Sequence, residues 1–237
     1  MSIHHRGSIR IRTVALAVLA GSIGFSSSAQ ALILGDGVFN PANWSGQAFV
    51  TGTSTASATT SLSGGVPDEY RDISNTSSGS PLSGWDRSLF VDLNTTAVAN
   101  PASLGGINLI DYSEDHRCVC IGGGMMWGPA LEQGGQFYIV PGNAMPNSFT
   151  LPWQNEALTA LTAADFEEVS VTSTTWTNPA SHPDFSASGA PITFGYVRAK
   201  AFIGATESYL DNWSVAIDEL PVDVEELNWG TAKSTFR

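Results

Sequence analysis

A chain of 237 residues with 42% apolar, 10% aromatic and 14% charged residues can build a sizeable core, and its charged share is well below the roughly 25% of an ordinary globular domain. The aromatic content excludes disorder, and two lysines without charged heptads exclude a coiled coil. Twenty-two acidic against ten basic residues give a net charge of −12, which leaves nothing to neutralise a phosphate backbone and excludes nucleic acid as a partner.

Residues 1–31 read as a secretory signal peptide. Arg6, Arg10 and Arg12 form a basic start, Thr13 to Phe25 an apolar core, and Ala29-Gln30-Ala31 a small-x-small cleavage site. The apolar run is about 13 residues, short of the roughly 20 that span a bilayer. Arg6 is isolated, so no twin-arginine pair is present and the general secretory route is expected. No later segment has transmembrane length. The expected product is an exported protein that is secreted, periplasmic or at the cell surface, with a domain over 32–220 and a tail over 221–237.

The domain is punctuated by Gly, Ser, Thr, Asn and Pro. The runs between these breaks predict strands at Gln47–Gly52, Glu69–Ser74, Ser88–Leu93, Ile107–Tyr112, Arg117–Gly122, Gln136–Val140, Ser148–Trp153, Glu168–Thr172, Ile192–Ala199 and Asn212–Asp218. Short, evenly spaced strands indicate an antiparallel sandwich or barrel. Ile192, Phe194 and Tyr196 share one face, as do Trp213, Val215 and Ile217, with the period of half-buried strands. Thr53–Gly65 and Asn75–Gly84 read as loops, the first alternatively as a Thr-rich edge strand. Thr162-Ala163-Ala164-Asp165 could cap a single helical turn. In Cys118-Val119-Cys120 both cysteines would point to one face of a strand, with Cα atoms about 7 Å apart, which is poor disulfide geometry. Buried thiols are expected there; a metal site would want ligands beyond His116.

Catalytic patterns are missing. There is no Gly-x-Ser-x-Gly elbow, zinc helix, phosphate loop or dinucleotide fingerprint. His116 and His182 lie in polar surroundings that predict surface loops. Glu167-Glu168 and Glu225-Glu226 are adjacent pairs whose members would face opposite ways on a strand, not the paired acids of a glycosidase. A non-catalytic protein is expected.

Two segments at the ends of the domain carry a resemblance. Gly35-Asp36-Gly37-Val38-Phe39-Asn40-Pro41-Ala42-Asn43-Trp44 and Tyr209-Leu210-Asp211-Asn212-Trp213-Ser214-Val215-Ala216-Ile217 resemble the opening and closing strands of jelly-roll carbohydrate-binding modules. The resemblance implies an all-β, antiparallel jelly-roll sandwich of the concanavalin or galactose-binding kind. It also implies a structural calcium held by the opening acid and the closing aspartate. Asp211 matches that aspartate, whereas Asn40 stands where the family has Glu, leaving Asp36 or Asp218 to supply the missing oxygen. The implied set is Asp36, Asn40 and Asp211; the alternative is that these residues cap strand ends. Gly65–Arg71, Pro191–Ala199 and Tyr209–Val215 are similar to segments of uncharacterised exported bacterial sandwich proteins. Trp229, Ala232 and Phe236 beside Lys233 and Arg237 look like a short C-terminal sorting tail; a docked or disordered tail is the alternative.

Sugar recognition needs an aromatic surface for the apolar face of a pyranose and directed polar groups for its hydroxyls. Seven tryptophans supply candidates: Trp127 in a Gly-rich run, Trp153 beside Gln154, Trp85 beside Asp86, and Trp176, with Arg198 to direct a hydroxyl or carboxylate. Trp213 belongs to the core by its alternation. The expected function is binding of a glycan or cell-surface polysaccharide. A structural or adhesive envelope protein is the alternative, and a glycosidase or lyase a third.

Overall fold

The computed structural model describes residues 31–80, 84–120, 125–145, 152–172 and 174–220. The predicted leader core and sorting tail, and the start of the predicted strand at Ser148, lie outside the described residues. In chain order the strands are β1 (Leu32–Asp36), β2 (Trp44–Val50), β3 (Thr55–Ser61), β4 (Tyr70–Ser77), β5 (Gly79–Ser80), β6 (Gly84–Trp85), β7 (Ser88–Ala99), β8 (Ile107–Cys120), β9 (Met126–Gln133), β10 (Gln136–Ile139), β11 (Gln154–Leu161), β12 (Glu167–Val169), β13 (Thr177–Asn178), β14 (Ile192–Lys200) and β15 (Gly204–Glu219).

Every pairing is antiparallel. The first sheet runs β11-β8-β15-β4-β3 with β1 added beside β15; the second runs β13-β12-β10-β9-β14-β7-β2. The two sheets form the expected jelly-roll sandwich. Phe39, Trp44, Ile73, Tyr112, Phe194, Tyr196 and Trp213 fill the space between them. A second apolar cluster, including Leu89, Val91 and Val197, lies on the opposite side of β7 and β14.

The two alternating segments behave as predicted, and Thr55–Ser61 is the edge strand rather than a loop. Ala163–Asp165 forms the single turn, with Thr162 and Asp165 closing a capping box. Several elements depart from expectation: β4 runs on to Ser77 and β5 follows where Asn75–Gly84 read as a loop, and the strand expected over Ser148–Trp153 begins instead at Gln154. The predicted break between Tyr112 and Arg117 does not exist, because β8 continues through Ser113-Glu114-Asp115-His116. Met126-Trp127-Gly128, at the end of the Gly-rich run, belongs to β9. Cys118 is disulfide-bonded, not a thiol, in a chain of two cysteines.

Charged residues inside the sandwich explain why the middle of β8 looked like a loop. Glu114 is fully buried and accepts from Arg198 of β14 at 2.8 and 3.2 Å, from His116 Nδ1 at 3.0 Å and from the Tyr112 hydroxyl. These donors fill the roughly four lone-pair positions of a carboxylate. His116 is therefore a core residue, 2% exposed, and not the predicted surface histidine. A second inter-sheet pair runs the other way. Arg71 of β4 meets Asp92 of β7, whose Oδ2 also accepts from Tyr196 at 2.8 Å, while Arg71 donates to Thr60 at 2.9 Å. Gly195, beside a register shift, lets β14 lie this close: a Cβ there would sit 1.9 Å from the Asp92 carbonyl oxygen.

Burial pushes the Glu114 carboxyl up, but Arg198 and the hydrogen bonds from His116 and Tyr112 pull harder and hold it below the usual range. A carboxyl lowered by folding contributes stability that is present above its unfolded value, near 4.3, and is lost as pH falls through the folded one. Acid unfolding should steepen below about pH 4, and Glu114→Gln should flatten that limb. By stranding Arg198 the variant should also lose about 3–5 kcal/mol, as read from urea melts.

Candidate functional site

Strict alternation turns Arg71, His116 and Leu210 inward, so their neighbours Tyr70, Arg117 and Tyr209 face outward from the first sheet. Register sets Thr59, Asp72, Tyr209 and Arg117 in one row across β3, β4, β15 and β8. Trp153, just before β11, closes this row. Its ring lies 5.7 Å from Tyr70 and 6.4 Å from Tyr209, and Tyr70 and Tyr209 are 5.2 Å apart. Arg117 sits 5.1 Å above the Tyr209 ring. Trp153 Nε1 donates to the Gly64 carbonyl at 3.3 Å, tying the indole to the loop before β4. All four side chains are half-buried.

Carboxylates surround the rings. Burial, with Glu207 nearby, pushes Asp72 up. Burial also raises Asp211, against the N–H groups of Val66 and Asn212 that pull it down; Asp115 and Glu69 add to the rise. Tyr209 is pushed up to about 12 by burial, then by its 3.1 Å hydrogen bond to Glu207 and the charges of Glu207 and Asp72. Asn212, held at φ 46°, donates to Asp115 at 2.7 Å and to the Val66 carbonyl at 2.8 Å. The face therefore offers a rigid aromatic cluster inside an acidic, hydrogen-bonding border.

Of the predicted sugar contacts, Trp153 lies in this cluster. Trp127 does not: it is 5% exposed and packs 5.2 Å from His116 in the core. Arg198 is fully buried and spent on Glu114, so it cannot direct a ligand. Trp85 belongs to the short strand β6, and its side chain lies outside the described residues. Trp176 lies under Arg87, whose guanidinium is 4.6 Å from its ring. Tyr70, Tyr209 and Arg117 are the residues that single-strand reasoning missed, because only cross-strand register gathers them. Their outward alternation beside Leu210 and Arg71 was the available signal.

The predicted calcium residues do other work. Asp36 Oδ1 accepts from the Val38 and Phe39 amides at 2.9 and 2.8 Å, and Oδ2 from Trp44 Nε1 at 2.9 Å and Asn94 at 3.3 Å. All its lone-pair positions are filled by N–H donors. Asn40 caps the short 3-10 turn at Pro41–Asn43, and Asp211 holds the Val66 and Asn212 amides. These residues do not fit a calcium centre: they cap turns and strand ends. Among the described residues no group of three or more His, Cys, Asp or Glu is placed to share an ion.

A cleft of about 610 Å³ opens between edge strands β2 and β3, lined by Trp44, Ala58, Thr60, Arg71 and Phe90. Its rings are at most 8% exposed, and its Arg71 and Thr60 are bonded to one another. The rings of the outer face are only half-buried. Among the described residues no helix is long and apolar enough to cross a membrane.

No protein-family model matches the chain, and no curated protein does. Among solved structures, a family 11 carbohydrate-binding module from Clostridium thermocellum, in complex with a β-1,3-1,4-mixed-linked tetrasaccharide, aligns with a TM-score of 0.47 and 13% identity, covering 81% of this chain and 99% of that one. The family 11 module of the cellulosomal cellulase Lic26A-Cel5E of the same organism gives 0.44 and 12%, over 82% and 97%. The enzymatically active domain of bacteriophage CBA120 tailspike protein 4 gives 0.35 and 10%, over 75% and 20%. Likeness at this level carries no argument about a ligand.

A tyrosine raised by folding contributes stability that is full below its unfolded value, near 10, and is lost as pH rises through the folded one. Phenolate absorbance should show a component at about 12 that disappears in Tyr209→Phe. Its persistence in the variant would separate Tyr209 from that titration.

Proposed function

We propose that the chain is an exported, non-catalytic sandwich that binds a neutral glycan on the outer face of its first sheet. One observation carries the reading: Trp153, Tyr70 and Tyr209 form a half-buried aromatic cluster within a hydrogen-bonding border. Aromatic faces suit the C–H surface of a pyranose, and the border suits its hydroxyls. The charge selects the ligand class. Glu69, Asp72, Asp115, Glu207 and Asp211 outweigh Arg117, so an acidic polysaccharide is repelled and an uncharged one is not. The signal-like leader supports export, where such polymers are found.

The test is affinity electrophoresis and tryptophan fluorescence against neutral and acidic soluble polysaccharides. Neutral polymers should retard the protein and acidic ones should not. Trp153→Ala should weaken binding by about tenfold, the worth of a stacked ring of roughly 1.4 kcal/mol. Retention unchanged in Trp153→Ala, or no neutral polymer retained, would remove the glycan reading and favour a structural role.

A further inference from the structure

The interior of the sandwich is apolar at one end and polar at the other. At the polar end Lys200, the last residue of β14, is fully buried, and among the described residues its Nζ has no hydrogen-bond partner. Lys200 is in register with Ser88 of β7. Ser88 accepts from Asn75 of β4 across the sheets at 3.0 Å, and Asn75 is in register with Thr206 of β15. Thr206 Oγ1, Ser208 Oγ and Asn75 Oδ1 are likewise buried without a partner. Register and one hydrogen bond thus link Lys200, Ser88, Asn75 and Thr206 across the two sheets, with Ser208 one inward position further along β15.

This seam lacks a counter-charge. An ammonium has three donors and no acceptor; the hydroxyl oxygens of Thr206 and Ser208 and Asn75 Oδ1 can accept, but all are neutral, and among the described residues none of these groups is paired. The two buried acids are committed elsewhere, Glu114 to Arg198, His116 and Tyr112, and Asp92 to Arg71 and Tyr196. Burial accordingly pushes Lys200 down from its ordinary range. Water would satisfy donors but would leave a buried charge uncompensated, which costs far more than an unpaired hydroxyl. A guest that brings both acceptors and negative charge answers both deficits.

We infer that this seam is a site for a small oxyanion, a carboxylate or a tetrahedral anion, held by Lys200 Nζ with the hydroxyls of Thr206 and Ser208. The inference is independent of the glycan face, which lies on the other side of the first sheet. It also assigns Lys200 a role: the anion completes the interior where the two sheets meet at the β14–β15 connection.

Thermal melts of the full chain in acetate, phosphate or chloride, at constant ionic strength and pH, test it. An oxyanion at about ten times its Kd should raise the melting temperature of the wild type over chloride by about 3–6 °C. Lys200→Met should lose this difference, and Thr206→Val should weaken binding severalfold. A response to acetate alone, or to phosphate alone, still supports the site and identifies which anion it takes. An equal response in wild type and Lys200→Met would mean a general salt effect and overturn the site. So would a wild type that shows no preference over chloride. If Lys200→Met fails to fold, an undiminished response in Thr206→Val overturns it.

Discussion

Two buried ion pairs of opposite sense set the alignment of the sheets. One sheet sends Arg71 across to Asp92, and the other sends Arg198 across to Glu114. Apolar packing is non-directional and tolerates sliding; a carboxylate removed from water and matched to a guanidinium does not. The pairs stand on different strands, β4 with β7 and β8 with β14, so together they oppose rotation as well as translation. The aromatic core then packs around a fixed frame: Trp44 sits 5.5 Å from Tyr196 and 5.4 Å from Trp213, with Arg71 5.6 Å from its ring.

That interior frame determines what the surface shows. A strand that turns Arg71 inward must turn Tyr70 and Asp72 outward, and one that turns His116 inward must turn Arg117 outward. A one-residue slip in β4 would bury Tyr70 and expose Arg71, breaking the ion pair and the aromatic cluster together. The outer aromatic face and the core charges are therefore two readings of one register, which ties the proposed recognition to folding.

The alternating segments of β14 and β15 were legible because hydrophobic residues on one face leave a period of two. The middle of β8 was not, since Glu114 and His116 look like solvated turn residues until Arg198 is seen opposite them. β9 was hidden by Gly128 and Pro129, which read as loop signals although the strand is mostly buried. Trp153 could be suggested from its polar neighbours. Trp127, with the same credentials, could not be told apart from it, because accessibility depends on which strands cover a residue. The segments that hold the proposed calcium residues do meet, β1 pairing with β15. Their real partners, the Trp44 indole and backbone amides, are invisible without the turn that brings them in.

β1 and the end of β15 are antiparallel neighbours, with Leu32 opposite Ile217. A load applied at Leu32 and Glu219 would pull these strands apart from their shared end. Their hydrogen bonds would open in succession instead of resisting together, as they do when strands are sheared lengthwise. Tension between its two ends would thus peel β1 from the sandwich at low force. The face that carries Trp153 would bear a load far better if the domain were held at one end only, as a tethered grip and not a link in a chain.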